Sequence, residues 1–426
     1  MKRTLILVLM ALCVGTAAAF WLKTQAGGLP WQVYIHETGR FLALSGFVLL
    51  LFQYIFSSRL KFIERGTGLD WMLGIHKPLG LIILSAVTLH PLLIFISERL
   101  QGYSTPFGFL KLVGLTSLLL LWVTAGSAML FSRVRMRYES WLGIHRIGYL
   151  ILPLAFFHSF FMGTALRQGF LRAFWLTLFL CFAAILAARI KRHYFLKRNP
   201  LKVSAIRQVT HDSWSIDLKG DHAGYLPGQF MFLKLKTKGL LSDSHPFTIS
   251  SSPTNKDLSI LAKSVGDFTS TLSQTEPSDQ AYADMPYGLF SFLNHDADRY
   301  VFIAGGIGIT PFLSMLRFMR DKKIRKEVIL LWANRHERDI AFRPELEKMT
   351  SEISSFKPVY VLSRQADWAG EKGRLDMEKL MRHVGDFKEG EFFICGPPKM
   401  MSDLERLLRT LGVTKGRIHT ERFNLR

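Results

Sequence analysis

Cysteine is scarce in this chain. Its 3 cysteines in 426 residues are Cys13, Cys181 and Cys395, too few and too scattered for a disulfide framework or a zinc site. Cys13 and Cys181 lie in apolar stretches and read as packing residues. Acidic charge is also short. There are 33 Asp and Glu against 54 Lys and Arg, a formal net charge of +21. An excess of that size raises the question of nucleic acid. No nucleic-acid motif accompanies it, and much of the positive charge sits beside long apolar runs, where it suits anionic headgroups. The expected surface partner is membrane lipid, with no nucleic acid.

What the chain has in quantity is apolar length. Hydrophobic residues make up 49% and aromatics 13%, concentrated before about residue 190, where the composition changes. Six spans, at about 4–22, 34–56, 72–97, 109–131, 142–163 and 171–189, are each long enough to cross a bilayer. Charge orients them. Lys2 and Arg3 precede the first span; Arg59, Lys61 and Arg65 follow the second; Arg133, Arg135 and Arg137 follow the fourth; a basic cluster from Arg189 to Arg198 follows the sixth. The opposite loops carry fewer, so both termini are expected to be cytoplasmic. The expectation is an integral membrane protein, of the inner membrane if the host is bacterial. The first span also reads as a signal peptide, whose cleavage would leave five spans and an outside N-terminus. A retained helix is favoured because the apolar run continues through Trp21 and Leu22.

Four histidines sit inside two of the spans, the third and the fifth. His76 and His90 lie in "WMLGIHKPLGLIILSAVTLHPLLIF", and His145 and His158 in "WLGIHRIGYLILPLAFFHSFF", at separations of 14 and 13 residues. At ~1.5 Å per residue each pair spans roughly 20 Å of a ~30 Å hydrocarbon core. Two such helices side by side place one histidine pair near each membrane face, His76 and His145 inside, His90 and His158 outside. Facing imidazoles are candidate axial ligands of haem iron. No Cys-x-x-Cys-His occurs, so the haems are expected to be b-type. The bland readings are hydrogen-bonded structural histidines or a proton relay. Fourteen helical residues nearly return to one face and thirteen do not. Pro153 lies between His145 and His158 and is a site for kinking or rewinding. The two haem sites need not be equivalent.

From about residue 200 the pattern changes. "LKVSAIRQVT", "SWSIDLKG" and "YLPGQFMFLKLK" alternate as antiparallel strands. "HPFTISSSP" and "LSILAKSVGDFTSTL" follow, completing a small β-barrel. A turn at Gly266 opens a helix whose free amides suit a phosphate. In the final third, strands and helices alternate, which implies a parallel sheet covered on both faces. "YVFIAGGIGITPFLSMLRFM" is a buried strand, a glycine turn and an amphipathic helix. Gly305, Gly306 and Gly308 permit close approach of a pyrophosphate. "CGPP", from Cys395, comes at a strand end, where ligands bind in such sheets.

Together, and in this order, these motifs resemble the NADPH oxidase and ferric reductase family of transmembrane haem flavoproteins, over essentially the whole chain. The resemblance implies a six-helix haem-binding bundle (1–195), an antiparallel β-barrel FAD domain (196–298) and an α/β doubly wound NAD(P) domain (299–426), the last two forming a ferredoxin-reductase-like module. It implies haem ligation by His76, His90, His145 and His158. Phe247 and Thr248 would contact the flavin, His245 and Pro246 would shape its site, and Ser250 would reach it. Lys263, Gly266, Phe268 and Thr269 match the segment holding the flavin pyrophosphate or adenine side, where the family often has Arg and Trp in place of Lys263 and Phe268. Gly305, Gly306, Gly308, Thr310 and Pro311 would cradle the nicotinamide-nucleotide pyrophosphate. Cys395, Gly396 and Pro397 would sit near the nicotinamide, Arg335 would read a 2′-phosphate, and Phe423 would cover the flavin. The short form resembles a prokaryotic, constitutively competent member, with no large calcium-binding module expected.

The implied reaction is hydride transfer from cytosolic NADPH (NADH being usable) to FAD, then single-electron transfer through two haems to an outer acceptor. Dioxygen, giving superoxide, is favoured over a ferric chelate; electron donation to a protein partner stays open. A transporter with a histidine relay is the non-redox alternative. Ile94 stands where family oxidases often carry a second histidine, one turn beyond His90. Arg40, near the outer end of the second span, is expected to meet a haem propionate or an anionic product, or to snorkel to the headgroups.

Overall fold

Apolar length shapes the first half. The computed structural model describes residues 2–421 apart from 26, 27, 132, 135, 137, 168 and 354. Contacts divide the described chain into two units, meeting between His193 and Tyr194. Among the described residues, six helical segments of the first unit are long and apolar enough to cross a membrane, as the sequence predicts. They are α1 (Lys2–Gln25), α2 (Trp31–Ser57), α4 (Leu69–Leu100), α5 (Phe109–Leu130), the broken segment α6 (Tyr138–Arg146) and α7 (Ile151–Met162), and α8 (Gly169–Arg198); a short helix, α3 (Lys61–Thr67), precedes α4. α2 is the most enclosed of the six. Its Phe47 stacks on Trp175 of α8 at 4.5 Å. At its C-terminal end, Arg189 and Arg192 donate to the carbonyls of Ser57 and Arg59. Cations there complement the unpaired carbonyls of the last turn.

The fifth span is a helix interrupted by a 3-10 turn at Ile147–Leu150. Pro153 has no N–H to offer the carbonyl four residues back, which loosens the α-helical ladder there. Side chains of neighbouring helices donate to carbonyls at either end of this turn. Tyr54 of α2 donates its hydroxyl to Gly148 O. Ser117 of α5 donates to Ile151 O at 3.0 Å.

The second unit holds two sheets. The first is antiparallel, with β1 (Leu201–Thr210), β2 (Ser213–Lys219), β3 (Phe230–Thr237), β4 (Leu240–Leu241), β5 (His245–Thr248), β6 (Leu258–Lys263) and β7 (Gln280–Tyr287). Its order is β4-β3-β7-β1-β2-β6, with β5 on β3. A single helical turn, α9 (Asp267–Ser270), follows β6. The second sheet is parallel, with β8 (Arg299–Gly305), β9 (Glu327–Asn334), β10 (Phe356–Leu362), β11 (Glu371–Lys372), β12 (Glu391–Cys395) and β13 (Ile418–Glu421), in the order β11-β10-β9-β8-β12-β13. Helices α10 (Thr310–Asp321), α11 (Arg343–Glu352), α12 (Met377–Val384) and α13 (Pro398–Thr410) connect these strands. β8 is buried from Tyr300 to Gly305 because both faces are covered. Phe302 packs with Phe312 of α10 and Phe393 on one face; Val301 and Ile303 pack with Leu404 of α13 on the other.

Phe302 is fully buried between these layers. Phe302→Ala should cost about 3–5 kcal/mol. Hydrogen–deuterium exchange of β8, β9 and β12 should accelerate accordingly, and unchanged protection would contradict this account of the core.

Candidate functional site

Three of the four histidines of the third and fifth spans share one arrangement. On α4, His76 Nδ1 lies 3.3 Å from the Gln53 carbonyl of α2, and Gln53 Nε2 returns a bond to His76 O at 2.9 Å. His90 Nδ1 lies 3.0 Å from Gly39 O of α2. On α7, His158 Nδ1 lies 2.7 Å from Leu110 O of α5. A carbonyl is only an acceptor, so each Nδ1 carries the proton and each Nε2 keeps its lone pair. Metal-ligating histidines are oriented in this way, the second nitrogen tied to a carbonyl. His145, on α6, stacks on Trp141 at 5.2 Å, and its buried Nδ1 has only a loose approach to the Thr124 backbone.

The His76 and His145 ring centres are 6.1 Å apart. Two imidazoles sharing one iron, with bonds of about 2.0 Å to nitrogens roughly 1.1 Å from their ring centres, have ring centres about 6.2 Å apart. The pair therefore fits a haem iron. At the other pair, a Cβ on Gly114 would come within 2.7 Å of the His158 ring, so glycine there gives the imidazole its room.

The unequal spacing of 14 and 13 is reconciled by the 3-10 turn. Fourteen α-helical steps of about 100° leave His90 about 40° short of His76. Thirteen uniform steps would leave His158 about 140° from His145. Replacing four of them by 3-10 steps of about 120° reduces that to about 60°. The axial separation becomes about 21 Å on both helices.

Arg40 follows directly on Gly39, at the level of His90. It does not stand open for an anion: its Nη1 donates to Glu37 at 2.6 Å, with His36 at 3.4 Å from the same oxygen. Glu37, itself buried, was not singled out in the sequence. Its i,i+3 spacing to Arg40 was the available signal.

In the antiparallel sheet, β5 brings His245 and Pro246 to an edge and buries Phe247 and Thr248. The His245 ring stacks on Phe268 at 4.1 Å and 6°, and Phe247 lies 6.0 Å from Phe268. Ser250 is buried, and its hydroxyl has no hydrogen-bond partner among the described residues, a donor aimed at nothing the protein supplies. These residues fit a flavin edge. Two of the matched positions have partners within the chain. Lys263 is engaged by Asp212 at 2.9 Å. Burial alone would raise the Asp212 carboxyl, but bonds from Lys263, Ser213 and Thr210 outweigh it and hold its pKa below the usual value. The amides at the Gly266 turn are not all free, since Thr269 Oγ1 accepts both Val265 N and Gly266 N at 2.9 Å.

In the parallel sheet the strand order reverses between β8 and β12, the switch point at which such sheets bind ligands. The glycine turn leaves β8 there, and Cys395 ends β12 beside it. A Cβ on Gly308 would stand 2.2 Å from Cys395 O, and Gly396 packs on Gly305. The close approach that these glycines permit is thus largely between the two motifs. Gly306, at φ +54°, faces open space. Thr310 caps back onto Ile307 O, and Pro311 occupies the first turn of α10. Pro397 precedes α13.

Burial raises the Cys395 thiol pKa well above its usual value, reinforced by the Glu421 carboxylate. The thiol stays protonated at neutral pH and has no acid–base or nucleophilic use there. Glu421 pairs in register with Cys395 and was missed in the sequence, although it lies in the same terminal "ERF" as Phe423. Phe423 lies outside the described residues. Arg335, beyond β9, is exposed. Its carbonyl accepts the Arg364 backbone amide at 2.9 Å, which brings the Arg364 backbone alongside, and Arg364 is exposed as well. A cavity of about 640 Å³ lined by His336, Glu337, Arg338 and Gln365 adjoins this turn. Asn334 Nδ2, buried at the end of β9, has no partner among the described residues. The turn fits a nucleotide.

Known proteins share these parts. Residues 42–156 match the family described as ferric reductase like transmembrane component. Residues 199–308 match an FAD-binding domain, and residues 302–406 an oxidoreductase NAD-binding domain. The chain is 34% identical over 206 residues to the glycine betaine monooxygenase reductase subunit of Pseudomonas aeruginosa, covering 47% of this chain and 56% of that one. It is 30% identical over 169 residues to NADH-cytochrome b5 reductase 1 of Aspergillus terreus, covering 38% and 57%. A ferredoxin NADP+ reductase structure from Neisseria gonorrhoeae is similar at 20% identity and TM-score 0.48, over 52% of this chain and 97% of that one. The chain spans about half the length of the curated relatives it matches. It is an integral membrane protein. A ferric-reductase-like transmembrane component followed by FAD-binding and NAD-binding domains is the architecture of the NADPH oxidase and ferric reductase family, and this chain has it.

Proposed function

We propose that the chain carries electrons from cytosolic NADPH, through FAD and two b-type haems, to dioxygen at the outer membrane face, releasing superoxide. The observation that carries this reading is the shared histidine arrangement, with Nδ1 tied to a neighbouring carbonyl and Nε2 left to ligate. Bound FAD accepts a hydride and bound haem iron passes single electrons, chemistry that side chains alone do not supply. The protein's part is to hold and orient. His76 with His145, and His90 with His158, would hold the haems. Phe247, Thr248 and Ser250 would seat the flavin, with Phe423 over its face. Gly306 and the start of α10 would receive the nucleotide pyrophosphate. The protonated Cys395 and the adjacent Glu421 close the nicotinamide side without a charged thiolate. Domains at 1–195, 196–298 and 299–426, with both termini cytoplasmic, put hydride donation inside and the acceptor outside. An inside-negative potential then favours outward electron flow by ~2.3 kcal/mol per 100 mV.

Dioxygen needs only an exposed cofactor edge, so neither Ile94 nor the neutralised Arg40 counts against it. A ferric chelate is the second reading, favoured by the description of the matched transmembrane family. Donation to a protein partner is a third, since relatives are named as reductase subunits.

His90→Ala and His158→Ala should each remove one haem from the two per chain read by pyridine haemochrome. Flavin reduction by NADPH should persist in both. A wild type that saturates at one haem sinks the paired-site reading. Arg335→Ala should raise the KM for NADPH about tenfold more than that for NADH, as loss of a charge-assisted phosphate contact worth about 1.5–3 kcal/mol implies. Arg364→Ala should do the same more weakly. Equal effects on both nucleotides would remove Arg335 as the discriminator. Superoxide dismutase should suppress NADPH-driven cytochrome c reduction by the loaded protein. A dismutase-insensitive signal with rapid anaerobic reduction of ferric citrate would assign the ferric reading instead.

A further inference from the structure

The sheet face that ends at Cys395 and Glu421 carries a second cluster at its other end, unused by the cofactor reading. Glu391 opens β12, His419 pairs with Phe393 from β13, and His295 lies just before β8. Side chains alternate along a strand and paired residues share a face, so Glu391, Phe393 and His419 project to one side. One ligand atom from each of His295, Glu391 and His419 lies within 4.8 Å of the others. His419 Nε2 is 2.6 Å from Glu391 Oε2, with the two side chains 13% and 18% exposed. The His295 and His419 ring centres are 3.7 Å apart. Phe393 backs them both, at 5.9 and 4.6 Å. Tyr300 donates its hydroxyl to His295 O at 2.9 Å, fixing the backbone beneath that ring.

The surrounding charge favours a cation. Asp296 and Asp298 stand open to solvent beside His295, sharing Lys326. Arg417 is turned away: it donates to Gly390 O and lies over Phe392, whose side chain points to the opposite face.

We infer that His295, Glu391 and His419 bind one divalent transition metal of the zinc class. Two neutral imidazoles and one carboxylate suit Zn2+ and leave a fourth position for water, whereas Mg2+ and Ca2+ prefer all-oxygen sets. Ligand atoms around tetrahedral zinc stand about 3.3 Å apart, so separations that now reach at most 4.8 Å would close by no more than about 1.5 Å, while His419 Nε2 and Glu391 Oε2, now 2.6 Å apart, would open by about 0.7 Å as the metal replaces their hydrogen bond. The site is structural. It ties the edge strand β13 and the lead-in to β8 onto β12, about 13 Å along the strand from Cys395.

The test uses the full chain in detergent, purified with a tag free of histidine and stripped by chelator. Zn2+ is the probe, with Co2+ as its spectroscopic substitute. Wild type should bind one Zn2+ per chain, show the visible bands of four- or five-coordinate Co2+, and gain several degrees in the melting midpoint of its second unit. His419→Asn, Glu391→Gln and His295→Gln should each weaken Zn2+ binding by more than the roughly 10–100-fold typical of an outer partner. Each variant should melt like metal-free wild type, which separates lost binding from misfolding. Absence of a stoichiometric Zn2+, or equal binding by wild type and all three variants, overturns the assignment.

Discussion

An imidazole N–H buried in hydrocarbon must find an acceptor. There is no water to supply one, and a neighbouring helix offers only backbone carbonyls. The membrane unit is arranged around that constraint. Gly39, Gln53 and Leu110 lend their carbonyls to three histidines. Each bond fixes the rotation of one helix against another, as well as the tautomer of the ring. The fifth span is tied in the same way, with Tyr54 and Ser117 donating to carbonyls at either end of its distorted turn. A helix bundle of this kind is specified less by apolar packing, which lipid tails equal, than by where its few polar groups can be satisfied.

The second unit solves a different problem. Its parallel sheet reverses order between β8 and β12, and the two loops that leave those strands press against each other there. Gly308 and Gly396 are small because each abuts the other motif's backbone. The nucleotide-facing surface is therefore one object made from two distant sequence segments. A change at Cys395 or Gly396 is felt by the glycine turn even where it touches no ligand.

Much of this was legible in the sequence because periodicity and punctuation act locally. Apolar spans of bilayer length, alternating strands, and glycine turns after buried strands each announced themselves, and the folded elements follow them. Less legible was everything set by partners distant in the chain. Lys263 matched the segment that holds the flavin, and nothing local announced that Asp212, next to its strand partner Ser213, engages it. Arg40 read as meeting a haem propionate, an anionic product or the headgroups, and its ion pair with Glu37 lay outside that reading. Strand β13 is a half-exposed edge with no apolar run, so neither it nor the neighbours of His419 stood out. The carbonyl partners of the histidines carried no signal at all, because any residue type has a carbonyl.

The fifth span shows that residue count and angular phase are separable quantities. One tight turn advances the chain by almost one extra residue's worth of rotation and rise. A span of thirteen intervals then carries its histidines as one of fourteen does. Spacing between paired histidines is accordingly a poor ruler across relatives. A one-residue deletion beside a proline, read as a lost register in an alignment, can be absorbed by overwinding four residues, with both histidine pairs kept at the same depth.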